Sequence, residues 1–78
     1  MIDFRQPTIL FGGSFDPVHE GHLHVARSAL RFFPKAKQLV FVPCYQSPGK
    51  PAPAASPELR LAWLKIAAEP EGFLVWDY

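Results

Sequence analysis

Two histidines three residues apart, His19 and His22, stand at the end of the run Phe11-Gly12-Gly13-Ser14-Phe15-Asp16-Pro17-Val18-His19-Glu20-Gly21-His22-Leu23. Imidazole titrates near neutrality, and residues three apart on a helix share a face, so the two rings can flank one phosphate chain. Gly12 and Gly13 carry no side chain and let the backbone approach a ligand closely. Gly21, between the histidines, leaves space for a base or ribose against the main chain at the helix start. The chemistry this suits is the holding of an anion such as a phosphate chain.

Other chemistries fit these residues less well. The zinc-protease pattern spaces its histidines four apart, and no third ligand is evident beside His19-Glu20-Gly21-His22, so no metal site is expected there. Gly49-Lys50 is not a phosphate-binding P-loop, because Cys44 stands where the leading glycine belongs and Pro51 replaces the serine or threonine. Gly13-Ser14 is not a nucleophile elbow, since Asp16 takes the place of the second glycine. His24 fits no motif position and reads as a solvent-facing helix residue. Cys44, just past the second strand, reads as inert packing, with a place at the crevice as the alternative. Trp63 and Trp76 read as core aromatics.

The positioning elements follow from pattern. Thr8-Ile9-Leu10-Phe11, apolar and partly β-branched, reads as a buried strand that Gly12-Gly13 delivers into a tight turn. From Gly21 the apolar positions Leu23, Ala26, Leu30 and Phe33 recur at helical spacing, and Pro34 ends that helix. Gln38-Leu39-Val40-Phe41-Val42, closed by Pro43, shows no alternation and predicts a strand buried on both faces. Gln46 to Ala55 is rich in proline, alanine, serine and glycine and reads as an irregular, mobile loop. Ser56-Pro57-Glu58 supplies an N-cap, a first-turn proline and a first-turn acid for a helix to about Ala68, with Leu59, Ala62, Trp63, Ile66 and Ala67 as its apolar stripe. Pro70 and Gly72 break it before a third apolar run, Phe73-Leu74-Val75-Trp76.

Strand, helix, strand, helix, strand demands a parallel sheet with right-handed crossovers, which is part of a doubly wound, Rossmann-like α/β fold. In such sheets ligands bind in the crevice at the carboxyl ends of the strands, and helix N-termini offer free N–H groups and partial positive charge to phosphate. The histidine run begins where the first strand ends and finishes inside the first turn of the following helix. Position and residue type therefore agree.

Composition bounds the rest. Seventy-eight residues, 49% hydrophobic and 19% charged, make a globular composition and at most one small domain. A net charge of +1, with eight scattered basic residues, gives no field to gather a nucleic-acid polymer or an anionic membrane. One cysteine forms no internal disulfide, which fits the reducing cytoplasm. No run approaches transmembrane length, and Met1 to Pro7 lacks the apolar stretch of a signal peptide.

His-x-Gly-His after Gly-Gly-Ser-Phe-Asp-Pro resembles the signature of the HxGH nucleotidyltransferase superfamily. Within it the run is most similar to the nicotinate-mononucleotide adenylyltransferases. Phosphopantetheine adenylyltransferases usually carry threonine where His19 stands, and cytidylyltransferases lack the proline after the aspartate. The resemblance implies that His19 and His22 bind the ATP phosphates and stabilise the α-phosphoryl group under attack. It implies that Gly12, Gly13, Ser14, Phe15 and Gly21 line the nucleotide crevice, with Mg²⁺ arriving on ATP and nicotinate mononucleotide as the acceptor. Another phosphate monoester, nicotinamide mononucleotide or phosphopantetheine, is the alternative acceptor, and a non-catalytic nucleotide-binding module the alternative class.

After the second strand the family usually has Pro-His-Lys; the corresponding stretch is Pro48-Gly49-Lys50, so Lys50 matches and Gly49 departs. Arg60 and Asp77 also fall where the family often has the same residue types. The family continues with further strands and a second phosphate motif of the Ser-x-x-x-x-Arg type. Residues 1–78 are therefore expected to form the N-terminal half of one nucleotidyltransferase domain, a fragment inactive alone.

Overall fold

The computed structural model describes residues 2–15, 17–44 and 56–77. Lys50 and the loop expected over Gln46 to Ala55 lie outside the described residues, as do Asp16 and Tyr45. Strand β1 spans Thr8–Gly13, helix α1 Glu20–Phe32, strand β2 Gln38–Pro43, helix α2 Pro57–Ala68 and strand β3 Leu74–Val75. The sheet is parallel throughout in the order β1-β2-β3, with Leu10 opposite Val40 and Phe41 opposite both Phe11 and Val75. The expected parallel α/β architecture is thus present. Both glycines after Phe11 belong to β1, so the strand runs two residues beyond the end that the sequence pattern suggested.

Each element has a local cause. In α2 the Ser56 side chain accepts from the Leu59 N–H at 3.2 Å, and Pro57 opens the helix, as expected from Ser56-Pro57-Glu58. A 3-10 turn over Glu69–Glu71 follows, and Gly72 closes it at φ 86°, a left-handed conformation that a side chain would strain. Helix α1 ends where the Phe33 N–H donates to the Ala29 carbonyl, just before Pro34.

The core lies on one face of the sheet. Leu39 and Phe41 of β2 cluster with Leu23 and Ala26 of α1, Leu64 and Ala68 of α2, and Phe15 and Phe73 from the connections. Two successive right-handed crossovers in one direction along the sheet place both helices on that face. Leu39, Val40 and Phe41 are all buried, as expected for β2. Val40 points to the opposite face, across which the N-terminal segment runs: Gln38 Nε2 donates to the Asp3 carbonyl and to Thr8 Oγ1, and Phe4 packs against Trp76.

Four expectations need correction. Strand β1 is not the buried strand expected, because Leu10, on the face away from the helices, is 57% exposed. Helix α2 buries Arg60, Leu64 and Ala68, while Leu59, Trp63 and Ile66 of the expected stripe are exposed. The helix is turned so that the Arg60 guanidinium reaches backbone carbonyls beneath it, and this rotates the stripe outward. For the same reason Trp63 is not a core aromatic; Trp76, on the face away from the helices and packed against Phe4, is not one either. Phe33, expected on the apolar face of α1, lies beyond its last turn and is also exposed.

Candidate nucleotide-phosphate site

The chain leaves β1 at Gly13 and enters α1 at Glu20, so Ser14 and His19 stand at the carboxyl edge of the sheet, one on either side of that connection. His19 is the N-cap of α1, with extended backbone at φ −143° and ψ 175°. Its Nδ1 accepts from the Gly21 N–H at 3.1 Å, and His22 Nδ1 accepts from the His19 N–H at 3.0 Å. This is a reciprocal capping box in which two imidazoles replace the usual hydroxyl and carboxylate. The rings stack with centroids 3.9 Å apart and planes 27° from parallel.

The cap fixes the chemistry of both rings. A ring nitrogen that accepts from a backbone N–H carries no proton, so each neutral imidazole bears its proton on Nε2. Two Nε2–H donors are then held side by side at the N-terminus of a helix, where the dipole adds partial positive charge. That is an anion-binding arrangement which needs no net charge on either ring. Burial, and secondarily the neighbouring His19, hold the His22 pKa below its ordinary value of 6.5, which favours this neutral form.

Gly21 has a sharper role than the expected clearance for a ligand. A Cβ there would lie 2.8 Å from Cε1 and 3.0 Å from Nδ1 of His19, so the missing side chain makes room for the imidazole. The Phe15 side chain is 3% exposed and packs edge-on against His22, with centroids 5.0 Å apart, and against Phe11 and Phe41. Its ring forms the floor beneath His22. Among the described residues it is the one non-glycine at positive φ, 49°, a costly conformation that turns the ring down into the core.

Gly12 is exposed, and Gly13 and Ser14 are half-buried at the same edge. Cys44 is exposed rather than packed inside, and its N–H donates to the Gly13 carbonyl at 2.8 Å, tying the exits of β1 and β2 together. His24 is exposed on α1, as expected. Glu20 is engaged by Arg27 at 2.6 Å, and Arg27 also grips Glu71, whose carboxyl it holds below the usual range. Asp77 pairs with Lys65 at 2.6 Å.

The sequence reading left Arg60 without a role. Its side chain is buried at 2% exposure, and its Nη1 donates to the carbonyls of Ser14 at 3.1 Å and Cys44 at 2.9 Å. No local signal marks it, since its partners are backbone atoms 46 and 16 residues away. Among the described residues no three His, Cys, Asp or Glu side chains converge as a metal cluster. Magnesium prefers oxygen ligands in octahedral array, so the described residues do not by themselves fit that ion. Among them, too, no helix is long and apolar enough to cross a membrane.

Parallel sheet, single-faced helical layer and a helix start armed at the carboxyl edge together define a Rossmann-like nucleotidyltransferase fold. The chain belongs to the cytidylyltransferase-like family, whose model matches residues 10–77. It is 51% identical over 71 residues to a protein of Aquifex aeolicus named probable nicotinate-nucleotide adenylyltransferase, covering 90% of this chain and 42% of that one. A Coxiella burnetii protein of the same name is 45% identical over 58 residues, 74% of this chain and 27% of its own. A Mycoplasma genitalium protein named probable nicotinate-nucleotide adenylyltransferase/Ap4A hydrolase is 46% identical over 63 residues, 81% of this chain and 18% of its own. The matched region thus spans less than half the length of each of these relatives.

Proposed function

We propose that these residues form the ATP-binding part of an adenylyltransferase that joins the AMP moiety of ATP to nicotinate mononucleotide, giving deamido-NAD and pyrophosphate. The observation that carries this reading is the stacked, mutually capped pair His19 and His22, with both Nε2–H donors free for phosphate at the start of α1. The names of the relatives support the acceptor.

In this reaction a phosphate oxygen of the mononucleotide attacks the α-phosphorus of ATP in line. The bond from that phosphorus to the bridging oxygen breaks, and pyrophosphate leaves with its electron pair. No protein nucleophile is needed; positioning and stabilisation of spread negative charge supply the catalysis. His19 and His22 contribute Nε2–H hydrogen-bond donors, the α1 dipole contributes partial charge, and Lys50 supplies a point charge from its proline- and glycine-rich segment. Magnesium enters bound to the phosphates of ATP, as part of the substrate. The lone cysteine and the soluble reactants support a cytoplasmic setting for the reaction.

The test is a competition in the full chain as its gene encodes it, with ATP, magnesium and equal nicotinate mononucleotide, nicotinamide mononucleotide and phosphopantetheine. Deamido-NAD should dominate the products, and His22→Ala should lower turnover by about a hundredfold or more. Preference for phosphopantetheine would reassign the acceptor; wild-type turnover in His22→Ala would remove the role given to that imidazole.

A further inference from the structure

We infer that Arg60 is a positioning residue for the phosphate site, acting through the Ser14 and Phe15 backbone on His22. This inference rests on the phosphate-binding reading above. Arg60 lies on α2, outside the segment that carries the two histidines. Yet its buried Nη1 holds the carbonyl that ends Ser14 and the carbonyl that ends Cys44. The Cys44 N–H in turn holds the Gly13 carbonyl. One guanidinium therefore clamps the two chain segments that leave β1 and β2 at the crevice.

The consequence runs along the chain. Ser14 precedes Phe15, whose φ of 49° is tolerated only where its neighbours fix it. The Phe15 ring is the surface on which the His22 imidazole rests edge-on. A shift of the Ser14 peptide moves that ring, and with it the orientation of the His22 Nε2–H. Engaging both carbonyls beneath the crevice also removes two acceptor dipoles from the site where phosphate oxygens must be received. The buried cation adds positive potential there, where burial weakens its screening. Its location in the N-terminal part of α2, where the helix dipole opposes a cation, argues that the carbonyls and not the helix hold it there.

Arg60→Lys and Arg60→Met in the full chain test this. Lysine keeps the charge but is one atom shorter, so it cannot reach both carbonyls as arginine does. Three quantities are read: the cooperative melt, the affinity for ATP with magnesium, and the ¹⁵N signals of the His22 ring, which report its tautomer and cap bond without ligand. Arg60→Lys is expected to melt cooperatively, to weaken ATP binding about tenfold and to shift the His22 Nδ1 signal, with Arg60→Met more severe. ATP affinity within twofold of wild type in a folded Arg60→Lys, with the His22 signals unmoved, would overturn the proposal. If Arg60→Met does not fold, the lysine variant decides alone. If the wild-type chain binds no ATP, the proposed function fails, while the His22 signals still decide whether Arg60 positions that ring.

Discussion

Replacing Gly21 by alanine should separate stability from activity. The new Cβ would sit 2.8 Å from His19 Cε1 and 3.0 Å from its Nδ1. Carbon atoms settle at about 3.5–4.0 Å, so the ring must retreat by roughly 0.7 Å. The cap bond from the Gly21 N–H, now 3.1 Å, would then exceed hydrogen-bond range. Losing an N-cap costs about 1 kcal/mol, but alanine is favoured over glycine in a helix by up to about 1 kcal/mol, so net stability should change by less than about 1 kcal/mol. Activity has no such offset. A displacement of this size at groups that hold the reacting phosphate costs on the order of a hundredfold, and the stacked His22 ring is disturbed with it. Steady-state kinetics of adenylyl transfer, run beside chemical denaturation, should show kcat/KM down about a hundredfold at near-unchanged stability. Gly72→Ala is the mirror control: its φ of 86° would be strained, nothing stands within 4 Å of the added methyl group, and stability should fall while activity holds. Wild-type kcat/KM in a folded Gly21→Ala would refute the account of the His19 cap.

Further outcomes follow from the caps and the titration of the site. Because the folded-state pKa of His22 lies below 6.5, the unfolded chain binds the proton first as pH falls. Its contribution is therefore complete above about pH 6.5 and is lost as pH falls through the lowered value; wild-type melting temperature should drop more steeply below 6.5 than that of His22→Gln, and parallel slopes would contradict this. Ser56→Ala removes the cap of α2 and should cost about 1 kcal/mol in urea denaturation, with an unchanged midpoint as the contrary result.

How far the fold was legible depends on whether a residue answers to its neighbours in sequence or to distant backbone. Ser56-Pro57 gave away the start of α2, because caps act within a few residues, whereas Gly12-Gly13, read as a turn, extend β1 by two residues. Leu39 to Phe41 read as doubly buried for the same local reason, an unbroken apolar run. The buried face of α2 was not legible. Its apolar stripe named Leu59, Trp63 and Ile66, whereas the carbonyls of Ser14 and Cys44 draw Arg60 inward, and nothing near Arg60 in sequence reports them.

The site shows the same division. The spacing of His19 and His22 placed both rings on one turn, as found. That they would cap the helix for each other was hidden, since the box is normally written with serine or threonine and glutamate. The burial of the Phe15 ring was not legible either. Its positive φ, rare for a residue with a side chain, sends it into the core as support.

The most direct test of adenylyl transfer follows the α-phosphorus itself. The full chain is given ATP labelled at the α-phosphate, magnesium and nicotinate mononucleotide, and the label is located among the separated products. The account predicts label in the dinucleotide and unlabelled pyrophosphate in equal amount. Label confined to ADP with release of orthophosphate, or label that stays in ATP, would contradict it.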